Sequence, residues 1–387
     1  MQHMLQPAIA TSRSRAALIF ILPLLFLVIG LALRFLAFRV AQPEADPSAF
    51  ITAMCRWDCS WYIKMAQTGY DPFPVPSRIN SGNWAFFPFY PLLVGAVRLL
   101  LPFATLVTAT GLSLLTTYTA AVVAWPLFDK DLRAFTLYAA FLLSGPFSFY
   151  FTSFFTEPMF VLMTTVVFVM LKRSNYLGAG LATILLSATR IVGVFATLSI
   201  VVQAALDHRA STGSWRGLVG AFLKRPNLLL AIFIAPLGLF AYMAFLNFYI
   251  GDGLAFQHVQ RSWGRPFGNP LFFVWQGLTS WPDMGFWPTT SQWLAMAAVL
   301  GIVLTVVLAW RRQWAQALFA FISLTLPLFA GLASVIRFTA AMVPVTVLAM
   351  QLLASRRWLF ALGLLAILVL GYVIPLAWLG NNNVPLA

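Results

Sequence analysis

Charge is what this sequence has least of. Only 9% of the 387 residues are Asp, Glu, Lys or Arg, whereas soluble domains average about 25%. Hydrophobic residues make up 61%, and a water-soluble fold cannot hide that much apolar surface. We therefore exclude a cytosolic enzyme, a secreted disulfide domain and a disordered chain. The main solvent of this protein is expected to be lipid.

Acidic residues are scarcer still, at 10 against 24 basic ones, so the formal net charge is +14. In a soluble protein this charge would suggest nucleic acid. In a membrane protein it reflects Lys and Arg held in cytoplasmic loops, and we expect no nucleic-acid partner. Two acidic pairs, Glu44 with Asp46 and Asp129 with Asp131, lack further ligands. We interpret them as solvated loop residues and expect no metal site.

Cysteine is almost absent, since Cys55 and Cys59 are the two that the chain contains. On a helix, a separation of four residues puts the two Cα atoms about 6 Å apart, within reach of a disulfide. Two small buried thiols are nevertheless the interpretation that we prefer. No zinc site is expected, because such a site needs about four suitable ligands.

Long apolar runs, in contrast, are frequent, and a membrane-spanning helix needs about 20 mostly apolar residues. The first run, 16–39, is too long for a signal peptide and is followed by Arg39 instead of a cleavage site, so we predict a helix with a cytoplasmic N-terminus. The other predicted crossings are 106–128, 134–150, 155–171, 177–206, 228–250, 293–310, 315–332, 338–353 and 358–379.

Basic pairs decide the predicted orientation, because Lys and Arg concentrate in cytoplasmic loops. Pairs at 172/173, 224/225, 311/312 and 356/357 adjoin the apolar runs. With all four inside, segment 177–206 must enter and return as two short helices with Arg190 near the bend. The prediction is an all-α polytopic membrane protein with about 11 transmembrane helices in a single domain, residues 1–387. Its large outer loops are 40–101 and 251–292.

Segment 84–101 is apolar enough to cross the membrane, but counting it as a crossing breaks the charge pattern. We predict instead an amphipathic helix on the outer surface. Its aromatic side chains would then lie at headgroup depth, as in the aromatic belt of membrane proteins. These side chains are Phe86, Phe87, Phe89 and Tyr90.

Candidate functional residues lie on the outer side. Asp58, in RWDCSWY (56–62), is either a helix N-cap or a carboxylate that takes a proton from an attacking sugar hydroxyl. Arg56 and the aromatic residues Trp57, Trp61 and Tyr62 surround it in the sequence. The aromatic residues are typical of an interfacial belt and equally of a platform for a sugar face or lipid tail.

The second outer loop carries three possible anion donors, His258, Arg261 and Arg265. Arginine has the geometry best suited to phosphate. The alternative is that these side chains bind lipid headgroups or pair with Asp252.

Three more ionisable residues, Glu157, Arg190 and Arg337, lie near the outer ends of predicted helices. Charges at membrane depth are costly and usually face a partner or a polar cavity. The residues fit a structural ion pair of Glu157 with an arginine. They equally fit a cavity that holds a phosphate between arginines.

Several of these segments resemble the PIG-V family, membrane glycosyltransferases of the GT-C class that include the enzyme adding the second mannose of GPI anchors. The similar segments, in chain order, are RWDCSWY (56–62) with AQTGY (66–70), AFFPFYPLL (85–93), FFTEP (154–158), ATRIVG (188–193), GDGLAFQ (251–257) with QRSWGR (260–265), and RF (337–338).

The resemblance implies a GT-C-like fold and an inverting transferase. This enzyme would move a sugar, mannose or another hexose, from a polyprenyl-phosphate carrier to a lipid- or glycan-linked acceptor on the non-cytoplasmic face. It implies Asp58 as the catalytic base, Glu157 as a residue that orients the acceptor or an arginine, and no cofactor. Residues implied for substrate or phosphate binding are Arg56, Arg190, Asp252, His258, Arg261, Arg265 and Arg337.

A bacterial inner-membrane relative is expected, because the chain is short and shows no endoplasmic-reticulum retention signal. Two other functions remain open. A transporter would tend to show paired repeats and charges at the midplane, and neither is evident here. A non-catalytic lipid-binding subunit could share the aromatic loops but would not need Asp58.

Overall fold

The computed structural model describes residues 6–75, 81–265, 267–280 and 289–380, and within these ranges the protein is all-α. Asp283 and the rest of 281–288, in the predicted second outer loop, lie outside the described residues. The helices are α1 (Gln6–Ala41), α2 (Phe50–Met54), α3 (Cys59–Thr68), α4 (Phe89–Leu100), α5 (Thr105–Val123), α6 (Leu132–Ser144), α7 (Ser148–Thr152), α8 (Glu157–Lys172), α9 (Tyr176–Ser187), α10 (Ala196–Thr212), α11 (Leu218–Leu223), α12 (Pro226–Ile234), α13 (Leu237–Ile250), α14 (Ala255–His258), α15 (Pro270–Thr279), α16 (Thr290–Trp310), α17 (Trp314–Leu328), α18 (Val335–Ala341), α19 (Val343–Ala354) and α20 (Arg357–Leu379).

Six helical segments of the described chain are long and apolar enough to cross a membrane. They are Ala16–Ala41, Thr105–Val123, Ile191–Thr212, Pro226–Ile250, Thr290–Trp310 and Arg357–Leu379. Helices α18 and α19 add a seventh if they form one span bent by 72°. The predicted polytopic all-α membrane protein is confirmed.

The remaining predicted crossings coincide with shorter helices, α6, α8, α9 and α17, of 12 to 16 residues. At 1.5 Å per residue these helices are about 18 to 24 Å long, less than the hydrocarbon thickness. More than half of the residues of α6, α8 and α9 are buried, and about half of those of α17, so these helices pack largely against other helices.

The chain breaks where the bend in 177–206 was predicted. Helix α9 ends at Ser187, and a short 3₁₀ turn, Ile191–Phe195, leads into α10. Arg190 stands in extended backbone directly before that turn. The predicted break near Arg190 is present, but the second helical segment, Ile191–Thr212, is not short, because it is long enough to cross a membrane.

Helices α1, α6 and α20 pack closely through glycines. A Cβ added to Gly30 would overlap the carbonyl oxygen of Leu143, and one added to Gly371 would overlap that of Ser144. These contacts fix α1 and α20 against the end of α6. The same end is held by Arg34, which donates to Leu143 O at 3.1 Å and to Ser148 Oγ at 2.6 Å. Arg34 therefore stabilises the break between α6 and α7.

Segment 84–101 contains α4, which at 12 residues is too short to span a membrane. One face of α4 is buried and the other is exposed, as Leu99 and Leu100 show. Phe86, Phe87 and Tyr90 do not form an exposed aromatic belt, because all three are buried in an aromatic core of the protein. That core joins the first outer loop to α7, α13 and α20.

The interpretation of Cys55 and Cys59 as two thiols is also wrong. The two cysteines form a disulfide, with their Cα atoms 5.4 Å apart. Helix α3 begins at Cys59, so Cys55 lies outside the helix and the chain between them forms a tight loop. The disulfide encloses Arg56, Trp57 and Asp58.

Candidate functional site

Asp58 does not act as a conventional N-cap, although it immediately precedes α3. Its backbone is helical, with φ −58° and ψ −23°, and its side chain makes no capping hydrogen bond. The carboxylate turns instead toward α18, where Arg337 Nη1 donates to Asp58 Oδ2 at 2.7 Å. The Asp58 side chain keeps 31% exposure, so a molecule arriving from solvent can reach it.

Glu157 is the first residue of α8 and is fully buried. One carboxylate oxygen, Oε1, is in contact with both Arg190 Nη2 and Arg337 Nε. The other, Oε2, has no hydrogen-bond partner within the described residues. A buried carboxylate with two guanidinium partners holds both of them in place.

We call Asp58, Glu157, Arg190 and Arg337 the charge cluster. Its members come from four separate parts of the chain, and their formal charges cancel. An aromatic shell surrounds the two arginines. The Arg190 guanidinium carbon lies 5.3 Å and 4.9 Å from the ring centres of Phe160 and Phe338, and that of Arg337 lies 5.6 Å from those of Tyr150 and Phe155. Such cation–π contacts help to hold charge in an apolar setting.

Arg265 brings the second outer loop to the charge cluster. Burial lowers the pKa of Arg265, while the nearby Asp58 carboxylate raises it and the Arg337 guanidinium lowers it. Asp58 thus lies within the electrostatic reach of two arginines from different segments. Arg261 is exposed, and no ion pair of its side chain occurs in the described ranges.

His258 and Asp252 pair with each other, with His258 Nδ1 at 2.7 Å from Asp252 Oδ2. Both side chains are exposed. The hydrogen bond with His258 holds the pKa of Asp252 below its ordinary value. This pair is the alternative that the sequence left open for His258, and it lies apart from the contacts of the charge cluster.

Arg56 binds the end of α20 and not the charge cluster. Its guanidinium donates to the carbonyl oxygens of Trp378 and Leu379, the latter at 3.0 Å. The last carbonyls of a helix lack partners within the helix, and a cation there is favourable. Arg56 therefore joins the loop before α3 to the C-terminal end of α20.

The three residues of the predicted aromatic platform have different environments. Trp57 is 63% exposed, and its φ of 55° is unusual for a bulky residue. Trp61 is stacked on Phe86, with ring centres 5.7 Å apart. Tyr62 is buried, and its hydroxyl lies 3.4 Å from Thr156 Oγ1. Of the three, Trp57 is the one that presents a ring to solvent.

Metal ligands do not gather anywhere in the described part of the chain, where no group of three or more His, Cys, Asp or Glu side chains occurs. Asp46 and Asp131 each cap a helical turn, and Asp129 pairs with Lys172. The two acidic pairs therefore have local structural partners.

The sequence did not reveal a polar network that holds α3. Asp71, which has the sequence context of a turn residue, is buried and pairs with Lys64. It also accepts from the backbone N–H of Asn83 at 3.2 Å, while Asn83 Oδ1 accepts from the Asp71 N–H at 2.9 Å. The spacing of seven residues between Lys64 and Asp71 gives no signal of this contact, because the chain turns between them. These bonds fix α3 to the turn before α4.

Comparisons with known proteins find little. No family model matches the sequence, and no curated protein matches it. Among solved structures, the apo oligosaccharyltransferase of Archaeoglobus fulgidus matches with a TM-score of 0.49 and 13% identity. The match covers 92% of this chain and 56% of that one, so the chain spans little more than half of the archaeal enzyme. We therefore base the proposal of function on the residues of this chain.

Chemically, the site combines an accessible carboxylate with guanidinium groups. Asp58 is the most exposed member of the charge cluster, since Arg190, Arg337 and Glu157 have side-chain exposures of 13%, 6% and 0%. A carboxylate at this position can accept a proton, and arginines around it can bind an anion. Trp57, the residue before Asp58, adds an exposed ring to the same loop.

Proposed function

We propose that the protein is a membrane glycosyltransferase of the GT-C class, similar to the PIG-V family. It would move a sugar, mannose or another hexose, from a polyprenyl-phosphate donor to a lipid- or glycan-linked acceptor. The observation that carries the proposal is the pairing of the partly exposed Asp58 carboxylate with the buried Arg337. The motifs around Asp58, Glu157, Arg190 and Arg337 are those that resemble the family.

Asp58 would act as general base. Its carboxylate takes the proton of the acceptor hydroxyl, and the resulting oxygen attacks the anomeric carbon of the donor sugar. The bond between that carbon and the phosphate oxygen breaks on the opposite face, so the configuration inverts. The lipid phosphate leaves with the bonding electrons.

Arginines would bind the departing phosphate, because charge-assisted hydrogen bonds from fixed donors stabilise the charge that develops on it. Arg265 and Arg261, in the outer loop, are the candidates that a substrate can reach, and Arg337 lies beside Asp58. Glu157 is too deeply buried to meet an acceptor in this arrangement. Its role would be to position Arg190 and Arg337.

Trp57 would bind the acceptor or donor sugar, since its ring is exposed and the residue directly precedes Asp58. Arg56, with both of its contacts on the end of α20, would support the loop instead of binding phosphate. His258 and Asp252 would contribute through their mutual pair at the edge of the second outer loop.

The site would face the non-cytoplasmic side, in a bacterial inner membrane with the N-terminus inside. This orientation follows from placing the basic pairs in the cytoplasm, on the side away from Asp58. One structural observation supports it. The Cys55–Cys59 disulfide lies next to Asp58, and disulfides persist in oxidising compartments.

A comparison of lipids and glycans from cells with and without the gene tests this function. The proposal predicts an acceptor that lacks one sugar in the deletion strain and regains it when the wild-type gene is restored. An unchanged glycan and lipid profile, with a change only in the uptake of a solute, would favour a transporter. If the Asp58→Asn variant restores the missing sugar in full, a non-catalytic lipid-binding subunit is favoured.

A further inference from the structure

The disulfide between Cys55 and Cys59 closes a ring that ends directly after Asp58. Cys59 is fully buried, and its backbone N–H donates to Arg56 O at 3.2 Å. We propose that this disulfide is a positioning element, which turns the Asp58 carboxylate away from the start of α3 and toward Arg337. Without the disulfide, Asp58 would cap its own helix.

Two other aspartates in this chain precede a helical segment and cap it with their side chains. Asp46 and Asp131 both have extended backbone, with ψ of 135° and 98°. The Asp46 side chain accepts from Ser48 N–H, and that of Asp131 accepts from the N–H groups of Arg133 and Ala134. These are the usual bonds of an N-cap aspartate.

Asp58 occupies the same position before α3 but makes none of these bonds. Its ψ of −23° is helical, so the side chain points away from the first amides of α3. The residue before it, Trp57, has a φ of 55°, a conformation that is uncommon for a residue with a bulky side chain. The ring closed by the disulfide encloses this residue.

Arg56, which lies within the ring, donates two hydrogen bonds to the end of α20. The ring is therefore closed covalently by Cys55 and Cys59 and is anchored to α20 by Arg56. If the disulfide is opened, Trp57 can relax to negative φ and Asp58 can take the extended backbone of Asp46 and Asp131. The carboxylate then accepts from α3 and leaves Arg337.

The consequence for activity rests on the proposed function. A carboxylate committed to backbone amides would be a poor base for the acceptor hydroxyl, whereas Arg265 and Arg337 could still bind the donor phosphate. Opening the disulfide should therefore lower kcat and leave the KM for the donor nearly unchanged.

The thermal stability of Asp58→Asn in two backgrounds tests the proposal without an activity assay. With the disulfide intact, Asp58→Asn removes the carboxylate beside the buried Arg337, so the Tm should fall. In the Cys55→Ser/Cys59→Ser protein, Asp58→Asn should leave the Tm unchanged, because asparagine caps a helix as well as aspartate does. The matched control is Asp131→Asn, which should change the Tm little in either background.

Two further measurements keep the test decisive. If the double serine variant fails to fold, the wild-type protein is folded first and then reduced, and the same comparison is made with reduced Asp58→Asn. Transfer is measured with polyprenyl-phosphate mannose as donor probe and membranes of the deletion strain as acceptor source.

An equal fall in Tm on Asp58→Asn in both backgrounds would overturn the proposal, as would free thiols in the native protein. If the wild type transfers nothing from the donor probe, the proposed function loses its support. The Tm comparison still decides the role of the disulfide in that case.

Discussion

Glu157→Gln is the substitution that most directly probes the charge cluster. In the native protein the charges of Glu157 and Asp58 balance those of Arg190 and Arg337. Glutamine keeps the size of the side chain but removes its charge, which leaves one unbalanced guanidinium charge inside the bundle. Removing one partner of a buried ion pair costs about 3 to 5 kcal/mol, because the other partner stays buried without compensation.

The unbalanced charge has no easy route to water, since the side chains of Arg190 and Arg337 are 13% and 6% exposed. The assay is the apparent Tm of purified protein in detergent, followed by intrinsic tryptophan fluorescence at one heating rate. We expect Glu157→Gln to lower the apparent Tm by several degrees. Glu157→Asp should lower it less, since the charge remains while the shorter side chain lengthens the contacts.

The matched control is Asp252→Asn, which removes a carboxylate from an exposed pair with His258. Surface ion pairs contribute at most about 1 kcal/mol, so Asp252→Asn should lower the Tm much less than Glu157→Gln does at neutral pH. If Glu157→Gln proves as stable as Asp252→Asn, the charge of Glu157 does not hold the two arginines, and the positioning role is refuted.

Three further predictions concern packing, pH and topology. Gly371→Ala should lower the Tm, because the added methyl overlaps the carbonyl oxygen at the end of α6 and overpacking costs about 1 to 3 kcal/mol; an unchanged Tm would contradict the close approach of α20 and α6. The lowered pKa of Asp252 means that its pair with His258 stabilises the fold above the ordinary carboxyl pKa of 3.8 and is lost as the pH falls through the lower native value. The Tm of wild type should therefore fall more than that of Asp252→Asn when the pH is taken below 3.8, and parallel pH profiles would refute this. Thr68→Cys and Thr212→Cys place a thiol at two exposed helix ends, and a membrane-impermeant maleimide applied to intact spheroplasts should label only the first; labelling of both from outside would overturn the orientation.

Much of the fold could be predicted from the sequence, because the membrane imposes a length and a composition on each crossing. The C-terminal end of α16 and the start of α20 were predictable because each apolar run borders a basic pair. The break at Arg190 was predictable for the same reason, since 177–206 is too long for one crossing and carries basic loops at both ends. Local patterns were sufficient at these places.

The sequence was insufficient to predict burial and pairing where tertiary contacts determine the surroundings of a residue. Phe86 and Tyr90 lie in a stretch whose composition is typical of an interfacial belt, but an aromatic core has the same composition, and packing against α13 and α7 selects the core. The Cys55–Cys59 disulfide was not predicted, because a spacing of four residues brings two cysteines within reach but does not show that they bond. The unusual backbone of Trp57, which lies between α2 and α3, has no signature in the sequence.

The charge cluster is an intermediate case. Scarcity of charge made Asp58, Glu157, Arg190 and Arg337 conspicuous, because each ionisable residue at membrane depth needs a partner. Which residue pairs with which depends on contacts across up to 279 positions of the chain, as between Asp58 and Arg337. The sequence therefore indicated the members of the cluster but not its connections.

Complementation of the deletion strain shows whether Asp58 is the base of a sugar transfer. Wild type, Asp58→Asn and the helix-cap control Asp131→Asn are expressed in the deletion strain, checked for folding in detergent, and assayed for restoration of the missing sugar on the acceptor. We predict that wild type and Asp131→Asn restore the sugar, whereas folded Asp58→Asn does not. Full restoration by Asp58→Asn would contradict the account.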